Sequence, residues 1–196
     1  MFCILVTGIP AAGKSTMAKF LGEQLQLPVL SKDSIKELLY DTVGFRSRAE
    51  KVRLGTAATD IMYYAAEQLM SCRQAFILEN NFEHASREGL TAILDRHGYQ
   101  AITVTLTGDR ETIYRRFLER NQSPDRHRGH IVNDRYPEEG PSTTPFPPSF
   151  EDFTAGIAAR GMDTFTANGP HITVDTTDLD RIDRADLLKR LRALLH

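Results

Sequence analysis

Tryptophan is absent from this 196-residue chain, cysteine occurs only twice, and long apolar runs are missing. Cys3 and Cys72 lack the spacing of a metal site or a redox motif, so we expect two reduced thiols in a cytoplasmic protein. No apolar run approaches the ~20 residues that cross a membrane, and no charged leader precedes a signal-like segment. We therefore expect neither a membrane anchor nor a secretion signal.

The chain also lacks an excess of positive charge. Its formal net charge is -2, so no overall positive field attracts nucleic acid. A local basic groove would be enough to bind a polynucleotide, and that alternative stays open. The length and a hydrophobic content of 41% fit one domain with a substantial core, and we expect it to span residues 1–196.

Short apolar runs alternate with longer amphipathic segments. The apolar runs predict five strands, at residues 2–7, 28–31, 75–80, 101–106 and 171–175. The remaining patterned segments predict helices, at residues 14–26, 34–41, 49–72, 85–97, 110–121, 150–161 and 184–195. This alternation is typical of an α/β protein whose parallel sheet is covered by helices on both faces.

One segment breaks this rhythm. From Asn121 to about Phe150 there is no periodic apolar pattern, and residues 137–149 hold five of the nine prolines. Irregular segments of this length inside a domain are usually lids or disordered. We expect a mobile lid with a substrate-facing excursion at about 121–150.

The most specific motif is GIPAAGKST, which matches the phosphate-binding loop G-x-x-x-x-G-K-[ST] at every fixed position. It follows a predicted strand and opens a predicted helix, as such a loop requires. Its glycines allow successive backbone N–H groups to point inward and cradle an anion. The predicted nucleotide-binding residues of the loop are Gly8, Ala11, Ala12, Gly13, Lys14, Ser15 and Thr16. Among them, Lys14 would reach the β- and γ-phosphates, Ser15 would bind Mg²⁺ and Thr16 would contact the α-phosphate.

Such loops occur in GTPases, motor ATPases and small kinases alike. The chain has no N-K-x-D motif of the kind that binds guanine. The third predicted strand ends as FILENNF, with one acid, Glu79, where motor ATPases generally carry a pair. Glu79 is therefore predicted to order Mg²⁺ or its water shell, the alternative being a carboxylate that faces solvent. Asn81 beside it could bond to the substrate.

A candidate base follows the second predicted strand, in SKDSIKE (31–37). A residue just after the carboxyl end of a strand lies in the crevice where α/β sheets bind ligands. Ser34 and Glu37 have the spacing of a helix capping box, which would leave Asp33 free. Asp33 could then accept the proton of an attacking hydroxyl. Alternatively, Asp33 itself caps the helix.

Arginines cluster in the helix at 110–121 and in the loop that follows it. Arg116 and Arg120 are four residues apart, and DRHRGH (125–130) adds Arg126 and Arg128. A basic loop opposite the phosphate-binding loop can close over ATP and stabilise the charge on its γ-phosphoryl group. The alternative is an exposed basic surface.

Together, GIPAAGKST, KDSIKE, FILENNF and RRFLER with RHRGH resemble the small P-loop kinases of the AAA_33 or zeta-toxin-like group. Chloramphenicol phosphotransferase and the polynucleotide kinase domain are more distant relatives. The resemblance implies a P-loop NTPase fold with five parallel strands in adenylate-kinase-like topology. It also implies ATP with Mg²⁺ and phosphoryl transfer to a hydroxyl.

The same resemblance implies roles for single residues. It assigns the base to Asp33, places Asp175 and Thr176 near the adenine, and gives lid roles to Arg120, Arg126 and Arg128. Two positions depart from the pattern. Related sequences often carry aspartate where this one has Glu79, and proline where it has Arg128.

The sequence thus predicts a cytoplasmic, ATP-dependent kinase of a small hydroxylated molecule. Three alternatives stay open: a polynucleotide 5′-hydroxyl kinase, a zeta-like toxin kinase, and a nucleotide-binding module without catalysis. Three acids of the lid region, Asp134, Glu138 and Glu139, could suit a cationic acceptor or could be solvated lid surface.

Overall fold

Five parallel strands form one sheet in the order β2-β3-β1-β4-β5, in a computed structural model that describes residues 1–140 and 145–195. The strands are β1 Phe2–Gly8, β2 Val29–Ser31, β3 Phe76–Glu79, β4 Gln100–Thr107 and β5 His171–Asp175. All five predicted strands are therefore confirmed, and so is the α/β class.

Helices connect these strands. They are α1 Lys14–Leu25, α2 Lys32–Thr42, α3 Arg48–Ser71, α4 Arg87–His97, α5 Arg110–Gln122, α6 Arg128–Ile131, α7 Phe150–Arg160 and α8 Arg184–Leu195. Single 3₁₀ turns precede α4 and α8, at His84–Ser86 and Leu179–Arg181. No helix in the described ranges is long and apolar enough to cross a membrane.

The central strand β1 is buried on both faces, since its side chains alternate between two apolar layers. Ile4 and Val6 pack into a cluster with residues of α1 and α8, whereas Cys3 and Leu5 pack into a second cluster with residues of α3 and α4. A side-chain period of two, with both faces apolar, is what places helices on both sides of a parallel sheet.

Helix α2 begins earlier than predicted, and the predicted capping box is wrong. The N-cap is Ser31, an extended residue whose Oγ accepts a hydrogen bond from the Ser34 amide at 3.4 Å. Strand β2 has only three residues, so its last one is already in place to cap the helix. Asp33 lies in the first helical turn and does not serve as the cap, in agreement with the prediction that it is free.

Part of the predicted lid packs against the rest of the protein. Residues 126–136, which we call the arginine loop, contain α6 and form an isolated antiparallel bridge between Tyr136 and Phe45. Val132 is buried with Tyr40 and Phe45 in a small third apolar cluster. Residues 141–144 of the predicted lid lie outside the described residues.

Candidate active site

The phosphate-binding loop connects β1 to α1, and its backbone has the conformation that its glycines predict. Gly8 and Gly13 have φ of 127° and 86°. A Cβ at Gly8 would lie 2.0 Å from the carbonyl oxygen of Leu106 in β4, so only glycine fits there. Gly13 is the N-cap of α1 and has no side chain to bond the first-turn amides, which leaves these donors for an anion.

Lys14 is buried at the base of this loop, with 8% of its surface exposed. Its Nζ donates a hydrogen bond to the carbonyl oxygen of Ile9 at 2.8 Å. Burial lowers the pKa of Lys14 to about 8, although the carboxylates of Glu79 and Asp33 act in the opposite direction. The site therefore holds a cation that is only partly compensated, beside amides that suit an anion.

Glu79 at the end of β3 is bonded to two serines. Its Oε1 accepts from Ser15 Oγ at 3.2 Å and its Oε2 from Ser31 Oγ at 2.5 Å. Ser31 lies directly opposite Glu79 in the pairing of β2 with β3, which accounts for the second bond. The carboxylate thus does not face bulk solvent: it is 3% exposed and placed beside the loop.

A cleft of about 560 Å³ opens above the carboxyl ends of the strands. Ten of the predicted site residues line it: Ala11, Gly13, Lys14, Ser15, Thr16, Asp33, Glu79, Arg116, Arg120 and Arg126. Two predicted residues of the loop, Gly8 and Ala12, do not line the cleft, and Ala12 is fully buried. The sequence motifs therefore meet at one edge of the sheet, as the crevice rule for α/β proteins predicts.

Asp33 faces this cleft from the first turn of α2. Its side chain is open to the cleft, while the surrounding walls exclude part of the solvent. Burial raises the pKa of Asp33, but nearby cations outweigh burial and leave the pKa below its ordinary value. The groups that lower the pKa are His130, in its protonated form, and the cations Lys36, Arg126 and Lys14. Asp33 is accordingly ionised at neutral pH.

Arg120 and Arg126 enter the cleft from α5 and from the arginine loop. The Nε atom of each is buried and has no hydrogen-bond partner among residues 1–140 and 145–195. Burial, with the neighbouring charge of Arg126, lowers the pKa of Arg120 to about 10. Two partly buried guanidinium groups that lie close together repel each other, and an anion between them would reduce that repulsion.

Arg116 and Arg128 are placed differently. Arg116 donates hydrogen bonds to the carbonyl oxygens of Thr176 and Thr177, at 2.5 and 2.6 Å, and so joins α5 to the chain after β5. Arg128 makes two hydrogen bonds of 2.7 Å to the carboxylate of Glu138. These two bonds join Arg128 to the chain that follows the arginine loop, a placement that the sequence motif did not indicate.

The chain after β5 lies beside the phosphate-binding loop. Thr176 is buried and its Oγ1 donates to the carbonyl oxygen of Thr107 at 2.9 Å. Asp175 accepts from the Thr177 amide at 2.8 Å, and hydrogen bonds from the side chain and the amide of Thr177 lower the pKa of Asp175. Leu179 comes within 3.5 Å of the position that a Cβ at Gly13 would take. These residues thus border the loop without lining the cleft itself.

Among the side chains of the cleft that sequence reasoning missed are Lys36, Glu37 and His130. His130 Nε2 and Glu37 Oε1 are 2.7 Å apart. Burial, and then the charges of Arg126 and Lys36, lower the pKa of His130, while burial raises that of Glu37. The spacing of Asp33, Lys36 and Glu37 on one helical face was a signal that could have identified two of them.

Comparisons with known proteins agree with this geometry. The family model of the AAA domain (AAA_33) matches residues 3–134. A proposed kinase from Chloroflexus aurantiacus J-10-fl is 28% identical, with a TM-score of 0.79 over 97% of this chain and 96% of that one. A comparison with curated proteins found no match.

Two further solved structures share the fold. A gluconokinase from Sinorhizobium meliloti 1021 is 14% identical with a TM-score of 0.54, over 99% of this chain and 97% of that one. A shikimate kinase from Bacteroides thetaiotaomicron is 16% identical with a TM-score of 0.52, over 100% and 98%. The family match spans more than half of the chain and includes the phosphate-binding loop, Asp33, Glu79 and the cleft arginines. The chain therefore belongs to the AAA_33 family and has the fold of P-loop kinases.

Proposed function

We propose that the protein is an ATP-dependent kinase that transfers the γ-phosphoryl group to a hydroxyl of a small molecule. One observation carries the proposal: an ionised carboxylate, Asp33, and the phosphate-binding Lys14 line the same cleft. A hydroxyl between them would be close to a proton acceptor and to a phosphoryl group at once. Membership of the family and a kinase-like fold support the proposal.

The donors of the cleft fit a polyphosphate. Lys14 and the first amides of α1 would hold the β- and γ-phosphates. The unpartnered Nε atoms of Arg120 and Arg126 would donate to the same phosphate oxygens. Because these groups are already in place, they would stabilise charge that develops during transfer without first having to reorganise.

The residues beside the loop also fit Mg²⁺. Magnesium prefers oxygen ligands and keeps several waters, so one or two protein oxygens suffice. Ser15 Oγ would be the direct ligand, and Glu79, fixed by Ser31, would accept hydrogen bonds from the metal's waters. When bound, Mg²⁺ would offset the negative charge of the phosphates.

Asp33 would orient the acceptor and take its proton. As the hydroxyl oxygen bonds to the γ-phosphorus, the bond from that phosphorus to the β,γ-bridging oxygen breaks and ADP leaves. The proton of the hydroxyl passes to the Asp33 carboxylate. Arg126, reaching in from the arginine loop, helps to keep water from taking the place of the acceptor.

The proposal covers the whole chain as one kinase domain acting in the cytoplasm. Both cysteines are free thiols: Cys3 is buried in the core and Cys72 is exposed. Burial raises the pKa of Cys3 to about 12, so its thiol stays protonated and unreactive. Neither cysteine has a place in the proposed chemistry.

The test is an assay of ADP release and of phosphorylated product over alcohols, sugars, nucleosides and 5′-hydroxyl oligonucleotides. With an accepted substrate, Asp33→Asn should lower kcat by roughly 10²- to 10⁴-fold, the usual contribution of a general base. ATP affinity should stay nearly unchanged, because Asp33 does not contact the phosphates in this proposal.

Asp60→Asn is the matched control, since Asp60 is an exposed carboxylate on α3. It should behave as the unmodified protein. Equal transfer rates with Asp33→Asn would remove Asp33 from the mechanism. If only oligonucleotides are phosphorylated, the acceptor is a polynucleotide and not a small molecule. If ATP binds but no phosphorylated product forms, the protein is a nucleotide-binding module without catalysis.

A further inference from the structure

Helix α2 contributes a second charged side chain to the cleft besides Asp33, the cation Lys36. It follows Asp33 by three residues and therefore lies on the same helical face. Within the described ranges its Nζ has no hydrogen bond and no ion pair; the ring of Tyr40 lies 5.6 Å from it. Lys36 lines the cleft, and its Cε atom lies 3.8 Å from the position that a Cβ at Gly55 of α3 would take.

Two cations of the cleft act on Asp33 from outside the phosphate-binding loop. Lys36 lies three residues after Asp33 on the same helical face, and Arg126 enters the cleft from the arginine loop. The Nε atom of Arg126 is buried and has no hydrogen-bond partner in the described ranges. Burial lowers the pKa of Lys36, and the charge of Asp33 acts in the opposite direction.

Three glutamates of the cleft and of the segment after the arginine loop are bonded to other side chains. Glu37, which lines the cleft, is hydrogen-bonded to His130. Just after the arginine loop, Glu138 binds Arg128 and Glu139 binds Arg135, so these two glutamates form pairs with arginines. The side of the cleft next to Asp33 therefore presents the cations Lys36 and Arg126.

We propose that the phosphoryl acceptor is a small hydroxylated anion, whose carboxylate or phosphate binds Lys36 and Arg126 while its hydroxyl faces Asp33. This inference rests on the proposed function and specifies its substrate class. The cleft of about 560 Å³ must also hold the phosphates of ATP, so the acceptor is a compact molecule of few carbons. Its anionic group is an anchor that takes no part in the bond changes.

The experiment compares acceptors in matched pairs that differ in the anionic group. D-Gluconate with D-sorbitol and glycerate with glycerol test a carboxylate, and glycerol 3-phosphate with glycerol tests a phosphate. The anionic member of at least one pair should have a kcat/KM at least tenfold above that of its neutral partner. Which pair responds distinguishes the carboxylate from the phosphate.

Substitution of Lys36 then tests the anchor itself. With the accepted anion, Lys36→Gln should raise the acceptor KM at least tenfold and leave kcat and the KM for ATP within about twofold, because Lys36 takes no part in the bond changes and acts on binding of the acceptor. Lys36→Arg should restore most of the affinity. Lys189→Gln, which removes an exposed lysine from α8, should change nothing.

Three outcomes would count against the proposal, and they separate it from the proposed function. Equal kcat/KM for neutral and anionic partners would overturn the anionic acceptor and leave the kinase in place. An unchanged acceptor KM in Lys36→Gln would remove Lys36 as the anchor. Product from none of the screened alcohols, with ATP bound, would overturn both.

Discussion

Lys14 combines two properties that are rarely found together, burial and a required positive charge. Its pKa of about 8 in the free protein means that the ammonium is charged at pH 7 and largely neutral at pH 9. Only the charged form would bind ATP, so apparent affinity follows the charged fraction. We predict that the Kd for ATP rises by about tenfold between pH 7 and 9.

The measurement is an ATP titration of the free protein at fixed Mg²⁺ across this pH range. Lys14→Arg is the matched variant, since a guanidinium stays charged throughout. It should bind ATP more weakly than the unmodified protein and show a flat profile. A Kd for the unmodified protein that does not change from pH 7 to 9 would contradict the role of the buried ammonium.

At the scale of single residues, the sequence identified the residues whose place in the cleft follows from a local motif. Lys14 and Ser15 follow from the loop pattern, and Asp33 and Glu79 from their positions just after a strand or at its end. Ser31 and His130 could not be found in this way, because their partners are distant in sequence. Ser31 bonds across strands to Glu79, and His130 bonds to a glutamate of α2.

At the scale of elements, the arginine loop is held to α2 and α3 by contacts of several kinds. His127 Nδ1 accepts from the Gly129 amide, so the Nε2 atom carries hydrogen and donates to Asp41 at 3.0 Å. Tyr136 donates to the same carboxylate at 2.8 Å. Gly129 packs so tightly on Tyr40 that a Cβ would lie 2.3 Å from the ring. These contacts fix the arginines relative to the helix that carries Asp33.

Lys51 of α3 is the buried donor of this arrangement. It is 5% exposed, and its Nζ donates to the carbonyl oxygens of His130 and Val132 and to Asn133 Oδ1. We predict that Lys51→Met lowers the free energy of unfolding by about 1–3 kcal/mol, because buried carbonyl groups lose their donor. Urea unfolding measures this loss, and trypsin should cut the arginine loop faster.

Arg53→Met is the control for Lys51→Met, since Arg53 is an exposed cation on the same helix. Its removal should change stability by less than about 0.5 kcal/mol. If both variants unfold at the same urea concentration and are cut at the same rate, Lys51 does not anchor the loop.

Elements with a regular apolar period were predicted well, and the arginine loop was not. Strand β5 and helix α8 have the predicted bounds. The arginine loop has no period because it packs through a few large side chains, Tyr40, Phe45 and Val132, that come from separate parts of the chain. A local sequence pattern cannot predict a cluster whose residues are distant in sequence.

At the scale of the whole molecule, stability depends on the two apolar layers that cover the sheet. Leu5 of β1 is fully buried in one of them. We predict that Leu5→Ala lowers the free energy of unfolding by about 2–5 kcal/mol, as the deletion leaves a cavity. Urea unfolding at neutral pH measures the loss.

Leu38→Ala provides the comparison, because Leu38 on α2 is 65% exposed. It should cost less than about 0.5 kcal/mol. A similar loss for the two leucines would mean that the layer around Leu5 does not dominate the stability of the fold. The overall architecture was predictable for the same reason: a doubly buried strand leaves few arrangements other than helices on both faces.

The bridge between Phe45 and Tyr136 has a consequence for recombination among relatives of this protein. In a chimaera that takes only residues 126–136 from a relative, residue 136 of the relative would have to pair with Phe45 of this protein. Residues 32–54 and 126–136 should instead be taken together from the same parent protein. Asp33, Lys36 and Arg126 would then be transferred jointly, and libraries built on that rule should yield more folded proteins than libraries that separate the two segments.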